Sequence, residues 1–157
     1  MSGPLRHLRP DGTAHMVDVS GKDITAREAT ATGRVCLSPE AVRALRGGTV
    51  PKGDALGVAR LAGIQAAKRT PDLVPLAHPV AVHAVEVDLE VVDQGVEIRA
   101  TVRTADRTGI EMEALTCVSV AALAMVDMIK AVDRQAVITD VMVVAKSGGR
   151  SGDWTRT

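Results

Sequence analysis

Two neighbouring segments, residues 82–92 and 96–104, alternate apolar and polar side chains along most of their length. Asp93, Gln94 and Gly95, which are residue types that favour turns, separate them. Because successive side chains of a β-strand point to opposite faces of its sheet, the alternation predicts two strands with one buried face. The short separation joins them as an antiparallel hairpin, so the fold must contain an antiparallel sheet.

Three other segments carry the signals of helices. Residues 38–48 predict a short helix, with Ser as N-cap, Pro at the first helical position and two glycines at the end. A second helical segment is predicted over residues 54–70, where two cations precede a proline. A long helix is predicted from Ile110 to about Arg134, and residues 108–111 match a capping box at its start.

These signals follow one another in a recognisable order. Small and β-branched side chains predict a strand over residues 29–37, and an apolar run predicts a last strand over residues 136–145. The order strand, helix, strand, strand, helix, strand predicts an α+β, ferredoxin-like βαββαβ sandwich, an antiparallel sheet with helices on one face. Residues 1–13 are polar and rich in Pro and Gly, which predicts a flexible N-terminal tail before a single domain over residues 14–157.

The composition argues against several classes of protein. The 157 residues carry 19 basic and 19 acidic side chains, so the net charge is zero, unlike that of a nucleic-acid or membrane-surface binder. The chain has no Phe, no Tyr and one Trp, so it lacks the rings on which bases stack. We find no signal-peptide segment and no hydrophobic run approaching roughly 18 residues, which predicts a cytoplasmic location.

The apolar residues are small, and this affects both the core and the surface. A core of Val, Ala, Leu, Ile and Met leaves shallow helix surfaces that suit close packing between subunits, so we expect an oligomer. Cys36 and Cys117 lie in apolar runs without a second Cys or His at ligand spacing. We therefore interpret them as buried hydrophobic residues and expect no metal site.

Three charged residues are candidates for acid/base chemistry. Asp127 and Lys130 are three positions apart on the predicted long helix and share a face. They form either an exposed ion pair or a lysine whose proton affinity is set by a carboxylate. Lys52 precedes a helix start, where a cation is electrostatically disfavoured, so it is either solvated or placed there for function.

Other polar positions also allow two interpretations. Glu111 suits the capping box and the helix dipole, whereas Glu113 is not needed for capping. His78 precedes a proline, which holds it on an extended loop, and it is either solvated or functional. Residues 146–152 form a glycine-rich basic loop, which is either a mobile segment or a phosphate-binding nest.

Five segments carry a more specific pattern, in this order: AHMVDVSGKDITAREA, PKGD, ARLAGIQAAKRTPDLVPLAHP, TGIEMEALTCVSVAALAMVDMIKA and AKSGGRSGD. Together they resemble the cyclic pyranopterin monophosphate synthase family, the MoaC-type proteins of molybdenum cofactor biosynthesis. The resemblance extends from about Ala14 to Asp153, nearly the whole chain.

The resemblance implies a fold, an assembly and a reaction. The fold would be ferredoxin-like, and the assembly a homohexamer built as a trimer of dimers with active sites at subunit interfaces. The substrate would be (8S)-3′,8-cyclo-7,8-dihydroguanosine 5′-triphosphate, a cyclic dihydro-GTP made by a preceding radical SAM enzyme. It would be rearranged to a pyranopterin with a cyclic phosphate, and pyrophosphate would be released. No cofactor bound to the protein is expected, and Mg²⁺ accompanying the triphosphate is left open.

The resemblance also implies roles for individual residues. Asp127, Lys130 and Lys52 would be catalytic, and burial or a neighbouring cation would lower the lysine pKa values towards neutrality. The substrate would be bound by residues spread along the chain, namely Arg27, Leu76, Ala77, His78, Glu111, Met112, Glu113 and Lys146. Of these, Arg27 and Lys146 would hold the triphosphate. The family usually has Cys where this chain has Ala77, so no thiol can act there.

A different class of function stays open at this point. Ferredoxin-like domains also serve as oligomeric ligand-binding or regulatory modules, and the fold alone does not decide between them and enzymes. A phosphate-ester hydrolase is a third option, but the chain has no arranged nucleophile. A binding module would not need Lys52, Asp127 and Lys130 to converge in space, so their positions discriminate between the classes.

Overall fold

The computed structural model describes residues 8–157. Within that range the chain forms five strands and four helices. The strands are β1 (Thr25–Cys36), β2 (Ala84–Val92), β3 (Gly95–Asp106), β4 (Val137–Ser147) and β5 (Trp154–Thr155). The helices are α1 (Pro39–Gly47), α2 (Ala55–Lys68), α3 (Thr70–Leu73) and α4 (Glu111–Ile129).

The strands form one sheet in the order β2-β3-β1-β4-β5, and neighbouring strands are antiparallel. The central strands β1 and β3 pair along their full length, from Thr25 opposite Asp106 to Cys36 opposite Gly95. Helix α4 packs against β1, β3 and β4, and α2 packs against α4 and β2. This confirms the α+β, ferredoxin-like βαββαβ sandwich, to which β5 adds a short edge strand.

Two local predictions are confirmed closely. β2 and β3 form the predicted hairpin, with Asp93 and Gln94 between them. Helix α1 is capped by Ser38, whose Oγ accepts a hydrogen bond from the N–H of Ala41 at 3.2 Å. The helix ends at Gly48, which has a left-handed conformation with φ of 66°.

The predicted start of the long helix is confirmed within one residue, but the predicted capping box is wrong. Ile110 is the N-cap of α4 and makes no side-chain capping bond, so Thr108 and Glu111 do not form a capping box. The Glu111 carboxylate instead lies 3.3 Å from Nζ of Lys146. A long-range ion pair has replaced the local cap, and periodicity along the helix could not reveal it.

The predicted end of the long helix is also wrong, because α4 stops at Ile129 and not near Arg134. The buried carboxylate of Asp133 holds the following turn. It accepts hydrogen bonds from the backbone N–H of Ser38 at 2.7 Å and of Gln135 at 2.9 Å. These contacts link the end of the helix to the start of α1 and turn the chain towards β4.

Other predicted bounds differ by a few residues. β1 begins four positions earlier than predicted because residues 25–28 continue the pairing with β3. The segment predicted over residues 54–70 is α2 followed by the single-turn α3. Pro71 lies at the start of α3, and a proline lacks the N–H needed to continue a helix. Residues 1–7 of the predicted tail lie outside the described residues, and in the remainder Leu8 forms a bridge with Ala14.

The core consists mainly of small aliphatic side chains. The sheet and α4 contribute Ala29, Ala31, Val35, Val96, Ile98, Ala100, Val102, Ala114, Cys117, Val118, Ala121, Ala122 and Met125. Both cysteines are free, and burial raises the pKa of Cys117 to about 12. A buried thiol of that kind is unreactive. The prediction that both are buried is wrong for Cys36, which is only partly buried near the end of β1.

Helix α4 has the composition of a core helix. Among the helices of the described residues, α4 is the one that is long and apolar enough to cross a membrane, judged by length and composition alone. The sequence had predicted no hydrophobic run of this length. In the structure its apolar side chains pack against β1, β3 and β4 and against α2. This burial in the core explains why the helix is apolar.

Candidate active site

Two lysines and one aspartate converge at the C-terminal end of α4. Nζ of Lys130 lies 2.7 Å and Nζ of Lys52 lies 3.1 Å from the same carboxylate oxygen, Oδ1 of Asp127. All three side chains are roughly half exposed in the single chain: Lys52 at 41%, Asp127 at 55% and Lys130 at 57%. We call Lys52, Asp127 and Lys130 the lysine–aspartate cluster.

The elements that carry the cluster explain its geometry. Asp127 and Lys130 are one turn apart on α4, and Lys130 is the C-cap, where the helix dipole favours a cation. Lys52 lies in the turn between α1 and α2, just before the N-cap Asp54. The contact with Asp127 offsets the unfavourable placement of a cation near a helix start.

The charges of the cluster stabilise one another. Hydrogen bonds from Lys130 and then Lys52 hold the pKa of the Asp127 carboxyl below its ordinary value of 3.8. The hydrogen bond to Asp127 raises the pKa of Lys130 above its ordinary value of 10.5. The expected lowering of the pKa is therefore not present at Lys130 in the single chain, where the nearest charge is a carboxylate and desolvation is slight.

A cavity of about 480 Å³ lies near the opposite end of α4. Its wall contains six of the predicted substrate-binding residues, namely Leu76, Ala77, His78, Glu111, Met112 and Glu113. The loop before β2 supplies the first three, and the first turn of α4 supplies the others. We call this space the histidine cavity.

Glu113 is the most perturbed group of this cavity. Its side chain is 3% exposed, and desolvation raises its pKa from 4.5 to about 7, with a smaller contribution from the charge of Glu111. A hydrogen bond from its own backbone N–H opposes the shift. Glu113 can therefore exchange a proton near neutral pH, as acid/base groups in active sites do.

The imidazole of His78 is held by the segment before β1. Its Nε2 is hydrogen-bonded to the backbone oxygen of Val17, and because a carbonyl only accepts, this nitrogen carries the proton. In the neutral ring, Nδ1 is then an acceptor. Val17 and Val19 also line the cavity, so the N-terminal segment is part of the site.

Lys146 connects this cavity with the C-terminal loop. Its Nζ lies 3.3 Å from Oε1 of Glu111 and donates to Oγ of Ser151 at 2.7 Å. Ser151 belongs to the wall of a second cavity, of about 540 Å³, which also includes Arg27. We call this second space the basic cavity.

Sequence reasoning missed Lys22, which lines both cavities. It also missed Val17, Val19, Val80, Thr108 and Gly109 on the wall of the histidine cavity. Lys22 lies within the first of the five segments quoted above, so the signal was present, but Lys22 itself is in a turn before β1, where no periodicity indicates which side chains face a cavity. The backbone oxygen of Lys22 accepts a hydrogen bond from Nε of Arg107 at 3.1 Å.

The predicted residues thus form two separate sets. Asp127 is fourteen positions beyond Glu113 on α4, so the helix separates them by about 21 Å at its usual rise. None of the cluster residues lines the histidine cavity or the basic cavity. The single chain brings together the residues predicted to be catalytic and, elsewhere, most of those predicted to bind the substrate, but it does not bring the two sets together.

Within residues 8–157, no group of three His, Cys, Asp or Glu side chains is placed to hold a metal ion.

Comparison with known proteins assigns the chain to a family. The model of the MoaC family matches residues 16–149. The chain belongs to the MoaC family. It is 66% identical over 153 residues to the cyclic pyranopterin monophosphate synthase of Streptomyces coelicolor, a match that covers 98% of this chain and 90% of the relative.

Further members of the MoaC family are also close relatives. The cyclic pyranopterin monophosphate synthase of Nocardioides sp. is 64% identical over 155 residues, covering 97% of this chain and 95% of the relative. Cyclic pyranopterin monophosphate synthase 2 of Mycobacterium tuberculosis is 56% identical over 155 residues, covering 99% and 93%. The resemblance inferred from the five segments is thus confirmed.

Proposed function

We propose that this chain is a lyase that converts (8S)-3′,8-cyclo-7,8-dihydroguanosine 5′-triphosphate to cyclic pyranopterin monophosphate and pyrophosphate, a step of molybdenum cofactor biosynthesis. The activity in the names of relatives 54–66% identical to this chain supports the proposal. The observation that carries it is the contact of two lysines with one aspartate. A ligand-binding module has no need of such a cluster.

The lysine–aspartate cluster is the source and acceptor of protons in this proposal. Rearranging a purine-derived ring requires protons to be delivered to and removed from nitrogen and oxygen. Lys130, with its raised pKa, enters the reaction protonated and acts first as a donor. Once a ligand displaces water from around Asp127 and the lysines, desolvation lowers the lysine pKa and allows the proton to leave.

The two cavities bind the substrate. The guanine-derived ring occupies the histidine cavity, where Glu113 exchanges a proton near neutral pH and Met112 supplies apolar contact. Lys146 and Arg27 hold the triphosphate through charge-assisted hydrogen bonds. No cofactor of the protein takes part, and any Mg²⁺ arrives with the phosphate oxygens.

The distance along α4 supports a site shared between copies of the chain. The cluster of one copy faces the cavities of another, and the assembly is a homohexamer built as a trimer of dimers. The enzyme is cytoplasmic and takes its substrate from a radical SAM enzyme. Exposed Leu61 of α2 and Leu123 of α4, 68% and 60% accessible in the single chain, support such packing.

The direct test is incubation of the purified chain with the cyclic dihydro-GTP. Pyrophosphate release is followed by a coupled assay, and the pterin product by its fluorescence after oxidation. The proposal predicts stoichiometric formation of both products. Binding of the substrate without release of pyrophosphate would contradict the proposal and indicate the binding module considered above.

A further inference from the structure

Lys52 lies on a turn that projects from the surface between two buried residues. Val50 is 8% exposed and Ala55 is 3% exposed, whereas residues 51–54 between them are all exposed. Burial therefore fixes the two ends of this turn but not its middle, where Lys52 lies. Local hydrogen bonds and the contact with Asp127 hold the middle in place.

The conformation of the turn is set by the residues on both sides of Lys52. The N–H of Gly53 donates to the backbone oxygen of Val50 at 3.0 Å, which closes a β-turn with Lys52 as its third residue. Gly53 has φ of 101°, a conformation that residues with a side chain rarely adopt. Asp54 then caps α2, because its Oδ1 accepts a hydrogen bond from the N–H of Gly57 at 3.0 Å. The direction of the chain at Lys52 thus depends on how α2 begins.

The sequence leaves room for the carboxylate of Asp54. A β-carbon at Gly57 would lie 2.2 Å from Oδ2 of Asp54 and would displace it. Glycine is less favourable in a helix than any ordinary residue except proline, yet it occupies this position in the first turn of α2. The space at Gly57 therefore serves the geometry of the cap and lowers the helix propensity of the segment.

The start of α2 has a fixed position relative to Asp127, because α2 packs closely against α4. A β-carbon at Gly63 of α2 would lie 3.0 Å from the backbone oxygen of Cys117 of α4, so the two helices approach each other at a residue without a side chain. A lysine held at the start of α2 is then directed to Oδ1 of Asp127, at 3.1 Å.

We propose that Asp54 is a positioning residue of the lysine–aspartate cluster, because its cap fixes the turn that directs Lys52 to Asp127. This inference rests on the proposed function and deepens it, since it assigns the placement of Lys52 to a residue outside the cluster. Asp54 acts through its hydrogen bond to Gly57 and not through its charge. Asn accepts the same hydrogen bond at a helix start without a charge, whereas Ala cannot.

The first test is steady-state turnover of the cyclic dihydro-GTP by the full chain. Asp54→Ala should lower kcat about tenfold, because a small displacement of a reacting group is costly. KM should change by less than about twofold, since Asp54 lines neither the histidine cavity nor the basic cavity. Asp54→Asn should restore kcat to within about twofold of the unmodified chain. Glu40→Ala, which removes an exposed carboxylate from the start of α1, is the matched control and should retain full activity.

A second measurement reports on the surroundings of Lys52 without turnover. Competitive acetylation of the full chain, followed by mass spectrometry, gives the reactivity of Lys52 relative to exposed Lys68 in the last turn of α2. Asp54→Ala should raise this ratio roughly threefold, because the amine is no longer engaged by the Asp127 carboxylate. Gly57→Ala should raise it as well, although alanine favours a helix, because the new β-carbon displaces the cap. Asp54→Asn and Glu40→Ala should leave the ratio unchanged.

The outcomes separate this inference from the proposed function. A higher ratio in Asp54→Ala and Gly57→Ala, with Asp54→Asn unchanged, supports the inference even where the unmodified chain does not turn over the cyclic dihydro-GTP. An unchanged ratio in both Asp54→Ala and Gly57→Ala overturns it even where the unmodified chain is active. Equal loss of kcat in Asp54→Ala and Asp54→Asn would also overturn it, because the charge of Asp54 would then be responsible. Full turnover by Asp54→Ala would show that the cap does not position Lys52.

Discussion

At the scale of single residues, Asp127 has the central position because one oxygen contacts two ammonium groups. Nζ of Lys130 lies 2.7 Å and Nζ of Lys52 lies 3.1 Å from Oδ1 of Asp127, so both ammonium groups are directed towards the same oxygen. The sequence predicted the contact with Lys130 from helical spacing, but the contact with Lys52 spans 75 positions and no local pattern encodes it. Only the resemblance to a family placed Lys52 beside the other two.

The first prediction concerns turnover by the lysine variants. Lys52→Ala and Lys130→Ala should each lower kcat for the cyclic dihydro-GTP at least ~100-fold, because each removes a proton donor or acceptor. Steady-state release of pyrophosphate measures the effect.

The same variants should leave the fold intact. Exposed ion pairs contribute at most about 1 kcal/mol, so thermal unfolding should shift by only a few degrees. Arg43→Ala is the control for the loss of a cation and should retain full activity. A lysine variant with nearly full turnover would show that this lysine is not catalytic.

Glu113 could be identified as a candidate from the sequence, but its burial could not. Its position in the first turn of a helix suggested a carboxylate favoured by the helix dipole, and that pattern gave no indication of burial. The structure instead places it at 3% exposure because α4 begins under the loop before β2. The depth of a side chain depends on what packs over it, which is a tertiary property.

The second prediction follows from the pKa of Glu113. Its folded value of about 7 lies above the ordinary value of 4.5, so the folded state binds more protons between these two pH values. The contribution of Glu113 to stability is therefore greatest below pH 4.5 and is lost as the pH rises through 7. The loss reaches about 3 kcal/mol above that range.

Glu113→Gln should remove this pH dependence. We expect the variant to unfold at a higher temperature than the unmodified chain at pH 8.5 and at nearly the same temperature at pH 5. Glu40→Gln, which alters an exposed carboxylate of α1, is the control and should show no such difference. Equal shifts for Glu113→Gln at both pH values would mean that the carboxyl is not held neutral in the folded chain.

At the scale of elements, α4 joins the sheet to both parts of the site. The alternation of residues 82–104 and the caps of α1 were sufficient to predict the hairpin and the first helix. The capping at the start of α4 and the position of its end were missed because the Glu111–Lys146 ion pair and the Asp133 turn are contacts between distant segments. The edge strand β5 was missed because two residues are too few for a pattern.

The third prediction tests the packing of α4 on the sheet. A β-carbon at Gly33 of β1 would lie 2.6 Å from Cγ1 of Val118, which is fully buried on α4. Gly33→Ala should therefore lower the free energy of unfolding by about 1–3 kcal/mol through overpacking. Chemical denaturation measures the change.

A double-mutant cycle isolates this contact. Val118→Ala removes the γ-carbons and costs stability by itself, but in that background Gly33→Ala should cost much less than it does alone. Circular dichroism of each variant confirms that the sheet is retained. An equal cost of Gly33→Ala in both backgrounds would show that the close approach of β1 and α4 does not limit the size of residue 33.

At the scale of the whole molecule, the distance between the two parts of the proposed site supports a contribution from a partner copy. The cluster at one end of α4 contains the groups proposed to transfer protons, and the cavities near the other end contain the groups proposed to bind the substrate. The resemblance predicted active sites at subunit interfaces, but it did not say which chain supplies each residue. The proposed activity therefore requires both the assembly and the contacts within one chain.

Subunit mixing tests whether each site is shared between two copies of the chain. His78→Ala and Lys130→Ala chains, each inactive alone, are co-expressed with different affinity tags and purified as mixed assemblies. If each site combines the cluster of one copy with the cavities of another, about a quarter of the sites should be intact in random equal mixtures. Mixing Lys52→Ala with Lys130→Ala should restore nothing, because both residues contact the same aspartate of one chain. Recovery in the first mixture only is the predicted result, and no recovery in verified mixed assemblies of His78→Ala with Lys130→Ala would contradict a site shared between chains.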